Sequence, residues 1–306
     1  MAHDHHAPTG HGHGHTHGHG HGHGHQTDVD WAEMGPVLES QAELLAPAYR
    51  EVMGWLAEET PEPGLIVDAG SGPGVVACLF AEEFPGARVT AVDGSAPLLE
   101  RARDRAARLG VDGRFSTVTG ELPDVLDELE FPADLLWVSR TLHHLGDQRA
   151  GLAAFAERLA PGGTLALLEG GLPARYLPRD IGIGRPGLQS RLDAAGEEWF
   201  SRMRAELPGA VAENEDWPAL LTAAGLKPTR TRTFLLDLPA PAGPAARDYA
   251  AAYFTRLRDG LGDALDADDR TTLDRLLDPA DPESVYHRSD LFVLDAYTVH
   301  TAARPR

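Results

Sequence analysis

Three groups of residues in this 306-residue chain could do chemistry. The first is Asp68-Ala69-Gly70-Ser71-Gly72-Pro73-Gly74, joined further along by Asp93. Glycines between a strand and a helix let the backbone turn tightly and approach a ligand closely. A dinucleotide loop, G-x-G-x-x-G, would place its third glycine where Val75 stands; here it comes one residue early, at Gly74. Asp68 adds a carboxylate, which repels a pyrophosphate and attracts a cationic ligand. The phosphate-loop pattern G-x-x-x-x-G-K-[ST] is absent. A nicotinamide-dependent oxidoreductase is disfavoured on both counts.

The second group is His143-His144; imidazole is a side chain whose ordinary pKa lies near neutral, and either one could remove a proton from a nucleophile. The same pair could instead only close a strand–helix turn or cover a cofactor. The third group is the tract His11, His13, His15, His17, His19, His21, His23 and His25, mostly alternating with glycine. Neutral imidazoles bind Ni²⁺, Cu²⁺ and Zn²⁺, but a flexible glycine-rich chain defines no fixed site.

Apolar runs and breakers place the first two groups on a regular frame. Leu65–Ala69 reads as a strand, Val75–Glu83 as a helix, Arg88–Val92 as a strand and Pro97–Leu109 as a helix. Arg114–Thr119, Ala133–Ser139 and Thr164–Glu169 continue the strands, with a helix at Gln148–Leu159 and a turn at Pro161-Gly162-Gly163. Lys227–Leu238 and Ser289–Thr301 are the last two strands, separated by a helical insertion. The alternation predicts an α/β fold, a doubly wound, Rossmann-like, seven-stranded sheet with an antiparallel C-terminal edge and helical cap insertions.

The expected organisation is a disordered His/Gly-rich tail over residues 1–26 and an N-terminal helical cap over 27–63. The main domain covers 64–306, with insertions at 170–216 and 239–282. Pro36 and Pro47 suggest two short helices in the N-terminal cap. The 170–216 insertion follows the fifth strand, so it should emerge at the ligand-binding edge. Its helix near Leu188–Leu207 should pack on the N-terminal helices, where Trp31, Tyr49 and Trp55 either complete a lid or pack in the core. Arg175, Arg179, Arg185 and Arg191 are then either a solvated face or lid residues that recognise an anionic or carbonyl-bearing acceptor.

Asp68–Gly74 resembles motif I of the class I S-adenosylmethionine-dependent methyltransferases. Asp93 at the end of the second strand, Gly120-Glu121-Leu122 after the third, and Leu159–Thr164 before the fifth agree with that family in order and spacing. Ala133–Leu145 resembles the fourth-strand motif of its small-molecule branch. The resemblance implies S-adenosylmethionine as cofactor, held by Asp68, Gly70, Ser71, Gly72, Gly74, Asp93, Gly94, Glu121 and Ser139. It implies that Asp93 accepts hydrogen bonds from the ribose hydroxyls. Glu121 departs from the commoner Asp and is either an adenine-edge contact or a solvated carboxylate.

Several acceptors are argued down. DNA amino-methylating relatives carry Asn/Asp-Pro-Pro-Tyr/Phe after the fourth strand, where this chain has Ser139-Arg140-Thr141-Leu142. Carbon-5 cytosine methylation needs a cysteine there, and Cys78 is the only cysteine. A net charge of −20 repels nucleic acid and anionic membranes. The expected partner is a small-molecule acceptor, with no nucleic acid and no membrane; a homodimer stays open. No stretch approaches the ~18 apolar residues of a membrane span. With no apolar leader and no disulfide pair, a cytoplasmic enzyme is expected. The competing reading is a non-catalytic cofactor-binding or metal-handling protein that uses its histidine tail.

Overall fold

In a computed structural model, which describes residues 31–306, Leu65–Ala69 forms the central strand β1 with every residue buried. A run of branched apolar residues suits a strand covered on both faces. Helix α2 (Val75–Glu83), strand β2 (Arg88–Asp93), helix α3 (Ala96–Leu109) and strand β3 (Phe115–Thr119) follow. Next come β4 (Ala133–Ser139), α4 (Gln148–Glu157) and β5 (Leu159–Arg175). The chain ends with α5 (Leu188–Glu206), α6 (Trp217–Ala223), β6 (Lys227–Leu238), α7 (Pro244–Leu261), α8 (Ala267–Leu277) and β7 (Val293–Ala303). Residues 31–306 make one unit.

The seven strands lie in the order β3-β2-β1-β4-β5-β7-β6. The pairs among the first five are parallel, and β7 runs antiparallel to both β5 and β6, as the sequence predicts. Side chains alternate across the sheet. Ile66, Leu135 and Trp137 join a core with α1, α2 and α7; Leu65, Val67, Leu136 and Val138 join the opposite core with α4 and α6. Because β1 to β4 are parallel, the turns after them open on one edge, and every candidate of the first two groups sits on or beside those turns.

Three expectations are corrected. The N-terminal cap is one helix, α1 (Trp31–Ala57), which runs through both Pro36 and Pro47. An internal proline costs about 3 kcal/mol, and burying several large apolar side chains returns more. Leu45, Tyr49, Val52, Met53 and Leu56 are all buried. Secondly, β5 does not stop at Glu169. After a register shift at Gly170 and Gly171 it continues to Arg175, paired with β7. Gly171 has φ +121, and a Cβ there would overlap the Ala296 carbonyl oxygen, so the crossing needs glycine. Thirdly, the Pro161-Gly162-Gly163 turn is a bulge inside β5.

Of the two readings for Trp55 the structure shows core packing, edge-on to Phe234 at 5.6 Å. The eight tail histidines proposed as metal ligands lie outside the described residues. Among the described residues no cluster suited to a metal ion is present, and no helix is long and apolar enough to cross a membrane.

Candidate active site

Asp68 is the second-last residue of β1, on the α2 side of the sheet, and is 2% exposed. Its Oδ2 has no hydrogen-bond partner. Burial, with Asp93 adding to it, pushes its pKa up to about 8, against a hydrogen bond from Ala77 N–H. A buried carboxyl with an unpartnered oxygen is stabilised by a cation.

The loop beyond it is shaped by backbone. Gly70 and Ser71 N–H donate to the Val92 carbonyl at 2.8 and 2.9 Å. Gly70 has φ +80 and Gly74 φ +72, in the left-handed region. A Cβ on Gly70 would overlap Thr141 Oγ1, and one on Gly74 would meet Ala102 of α3, whose Cα lies at 2.9 Å. Gly72 has open space where its Cβ would be. Asp93 ties this loop to the next: Oδ2 accepts from Gly72 N–H and Oδ1 from Ser95 N–H, both at 2.8 Å. Each oxygen keeps a lone pair for another donor. The exposed Glu121 reaches over Gly94, its Oε1 2.9 Å from where a Cβ would sit. Ser139 closes β4. The structure therefore gathers Asp68, the glycine loop, Asp93, Gly94, Glu121 and Ser139 at the carboxyl ends of adjacent strands.

The two histidines differ. Glu169, at the end of the parallel part of β5, is 6% exposed. Its Oε1 accepts from Thr141 and Leu142 N–H, both at 3.0 Å, and its Oε2 lies 3.3 Å from His143 Nδ1. A carboxylate only accepts, so the proton sits on Nδ1 and Nε2 presents a lone pair. The His144 ring lies 4.2 Å from that of His143. Burial, then the charge of His143, pushes the His144 pKa down to about 4, so it is neutral and a weak base. Arg204 of α5 donates to the carbonyls of His143 and Leu145, both at 2.6 Å, and fixes the turn. Sequence reading missed Glu169; its signal was an acidic residue closing an otherwise apolar buried strand.

The 170–216 insertion does reach this edge: Phe200 of α5 lies 5.7 Å from the His143 ring. Its main partner, however, is α7 of the second insertion, which lies between it and α1. Tyr176 packs on Tyr249, Tyr253 and Phe254 at 4.8 to 5.8 Å because α7 presents the larger aromatic face.

Three of the four lid arginines are committed elsewhere, and the exposed Arg179 makes no ion pair among the described residues. Arg175 pairs with Asp193 at 2.7 Å. Arg191 holds Asp269 of α8 through both oxygens at 2.7 Å, and Arg185 joins them at 3.2 Å. Arg185 and Arg191 thereby join the two insertions, and all three arginines are engaged by carboxylates. Arg191→Ala is expected to cost about 2 kcal/mol, because it strips charged hydrogen bonds from a buried carboxylate. Urea denaturation checks this, and an unchanged midpoint would show that Arg185 suffices. The Asp269 pKa is lowered, first by Arg191, so its contribution is present above the ordinary carboxyl range and is lost as pH falls through the depressed value.

A family model described as a methyltransferase domain matches residues 67–165. The trans-aconitate 2-methyltransferase of Streptomyces coelicolor is 32% identical over 229 residues, covering 73% of this chain and 69% of that protein. The enzyme of the same name from Methylobacterium radiotolerans is 31% identical, covering 77% and 76%. In fold, the chain matches an O-methyltransferase family protein from Burkholderia thailandensis at a TM-score of 0.51 and 13% identity, over 92% of this chain and 61% of that one. The chain belongs to the class I S-adenosylmethionine-dependent methyltransferases. The names of the two relatives give trans-aconitate, a small organic molecule, as what those enzymes methylate.

Proposed function

We propose that the edge formed by β1, β2 and β4 holds S-adenosylmethionine and that His143 is the base of the transfer. The observation that carries this is Asp68: a buried carboxyl with an unpartnered oxygen, beside a glycine loop, suits a cationic amino acid head and excludes a phosphate. The residues present fit the cofactor. Gly70, Ser71, Gly72 and Gly74 give it backbone access, Asp93 keeps lone pairs for hydroxyl donors, and Gly94, Glu121 and Ser139 complete the edge. Bound there, S-adenosylmethionine supplies an activated methyl group. The protein then aligns the acceptor and takes its proton where it has one. His143 Nε2 accepts that proton from an acceptor hydroxyl or amine, and Glu169 holds Nδ1–H and stabilises the imidazolium. His144 stays neutral and packs against His143.

Calorimetry tests the cofactor. S-adenosylmethionine and S-adenosylhomocysteine are expected to bind and NADH is not; heat from NADH alone would sink the assignment. Asp93→Ala is expected to weaken S-adenosylhomocysteine by roughly 1–3 kcal/mol, since two backbone donors lose their acceptor along with any ligand contact. Unchanged affinity in a folded variant would remove Asp93 from the site. Turnover is measured as S-adenosylhomocysteine release, with trans-aconitate as the first acceptor tried because two relatives carry that name.

A further inference from the structure

Arg140 stands at the active edge, directly after Ser139 and three residues before His143, and neither the cofactor nor the proton transfer uses it. It is the one non-glycine residue with positive φ among the described residues, at +52°. A long side chain keeps a left-handed backbone only where its neighbours impose it. Here they do: Arg140 N–H donates to Leu168 O at 3.1 Å, and Thr141 N–H is held by Glu169. The turn is fixed, and with it the base of the arginine.

The guanidinium lies over the ring of Tyr297, 4.9 Å from its centroid. Tyr49 of α1 stacks on that same ring at 6.4 Å. Burial opposes the guanidinium charge, but Tyr49, Tyr297, Tyr249 and Asp295 together hold its pKa above the usual value. Arg140 is nonetheless solvent-accessible. Its side chain is exposed beside the Tyr297 ring, so a ligand can reach it.

No anion meets it there. Asp295 accepts from Ala296 N–H at 2.8 Å and from the Tyr297 hydroxyl, and it forms no ion pair with Arg140. Among the described residues Arg140 makes no ion pair, in a chain with 47 acidic and 27 basic residues. The cap arginines Arg175, Arg185 and Arg191 each have a carboxylate. A guanidinium fork among phenol rings, left without a carboxylate, matches a planar carboxylate from outside.

We propose that Arg140 anchors the methyl acceptor, and that the acceptor is a small organic acid whose carboxylate sits on this guanidinium among Tyr49, Tyr249 and Tyr297. The inference rests on the methyl-transfer reading of the same edge. S-adenosylmethionine also carries a carboxylate, but the sheet order separates the two. The strands run β1-β4-β5-β7, and from β4 the guanidinium reaches Tyr297 of β7, on the side away from the β1 glycine loop.

The test uses the full chain saturated with S-adenosylhomocysteine and titrated with benzoate, succinate and tricarballylate, each against its methyl ester. At least one acid is expected to bind, with its ester about tenfold weaker or worse. Arg140→Gln should weaken that acid by about tenfold or more while S-adenosylhomocysteine binding stays unchanged. Arg140→Lys, which keeps charge and loses the fork, should recover part of the acid affinity, and its S-adenosylhomocysteine binding reports an intact fold. Arg88→Gln, at the opposite edge of the sheet, should change nothing. Acids that bind no better than esters would overturn the proposal, as would full acid affinity in Arg140→Gln. Loss of S-adenosylhomocysteine affinity in both Arg140 variants would assign the residue to the cofactor's own carboxylate and also overturn it. Failure of the wild-type chain to bind S-adenosylhomocysteine is a separate result, and it removes the underlying reading first.

Discussion

His143→Ala is expected to lower turnover by roughly 10²–10⁴-fold, the usual worth of a positioned general base, with cofactor affinity unchanged. The neighbouring imidazole cannot take over, because burial and His143 together hold His144 to a pKa of about 4. At neutral pH such a group accepts a proton too weakly to help. Glu169→Gln should also lower turnover, since the amide can present N–H where the carboxylate accepted and thereby turn the wrong tautomer of His143 toward the acceptor. Glu169 also holds the N–H groups of Thr141 and Leu142, and the Gln oxygen can still accept these. Single-turnover rates with saturating cofactor make the measurement. A His143→Ala enzyme with wild-type turnover would show that the acceptor arrives already deprotonated and that this pair only builds the turn.

Cofactor affinity is expected to climb by about tenfold per pH unit from pH 6 to near pH 8, then level off. The sign follows from Asp68. Its pKa in the free protein is pushed up to about 8, first by burial and then by Asp93, so below that pH it holds a proton. A cationic ligand favours the carboxylate, so binding must expel the proton, and expelling it is easier as pH rises. Asp68→Asn should bind weakly and lose this slope, and the comparison cancels any titration of the ligand itself. The free protein shows the converse. A carboxyl whose folded pKa lies above its unfolded value stabilises the fold at low pH. That contribution falls as pH rises from about 4 to about 8. Calorimetry in buffers of different ionisation enthalpy counts the released proton. Equal slopes in wild type and Asp68→Asn would mean that Asp68 does not meet the cation.

The parallel half of the fold was legible because its signals are local. Leu65–Ala69 is an apolar run closed by glycines, and Asp93 ends the next strand, so period and punctuation fixed both elements and the loop between them. The same holds for His143 and His144, which had to lie just past a central strand. Breaker rules misled where tertiary burial outweighed them: α1 runs through Pro36 and Pro47 because its apolar face is covered.

The sequence by itself determined the alternation of strands and helices in the parallel half and the glycine loop with Asp68, since each depends on neighbours a few residues apart. Only the tertiary structure decided which charges meet. Arg191 finds Asp269 78 positions away, and His143 finds Glu169 26 away. Arg140 lies over Tyr297 and meets no carboxylate. Ion pairing and enclosure depend on distance and desolvation across separate elements, and one-dimensional spacing carries neither. That is why Arg175, Arg185 and Arg191 looked available in the sequence and proved to be committed, while Arg140, flanked by better-known motifs, stands at the active edge without a carboxylate.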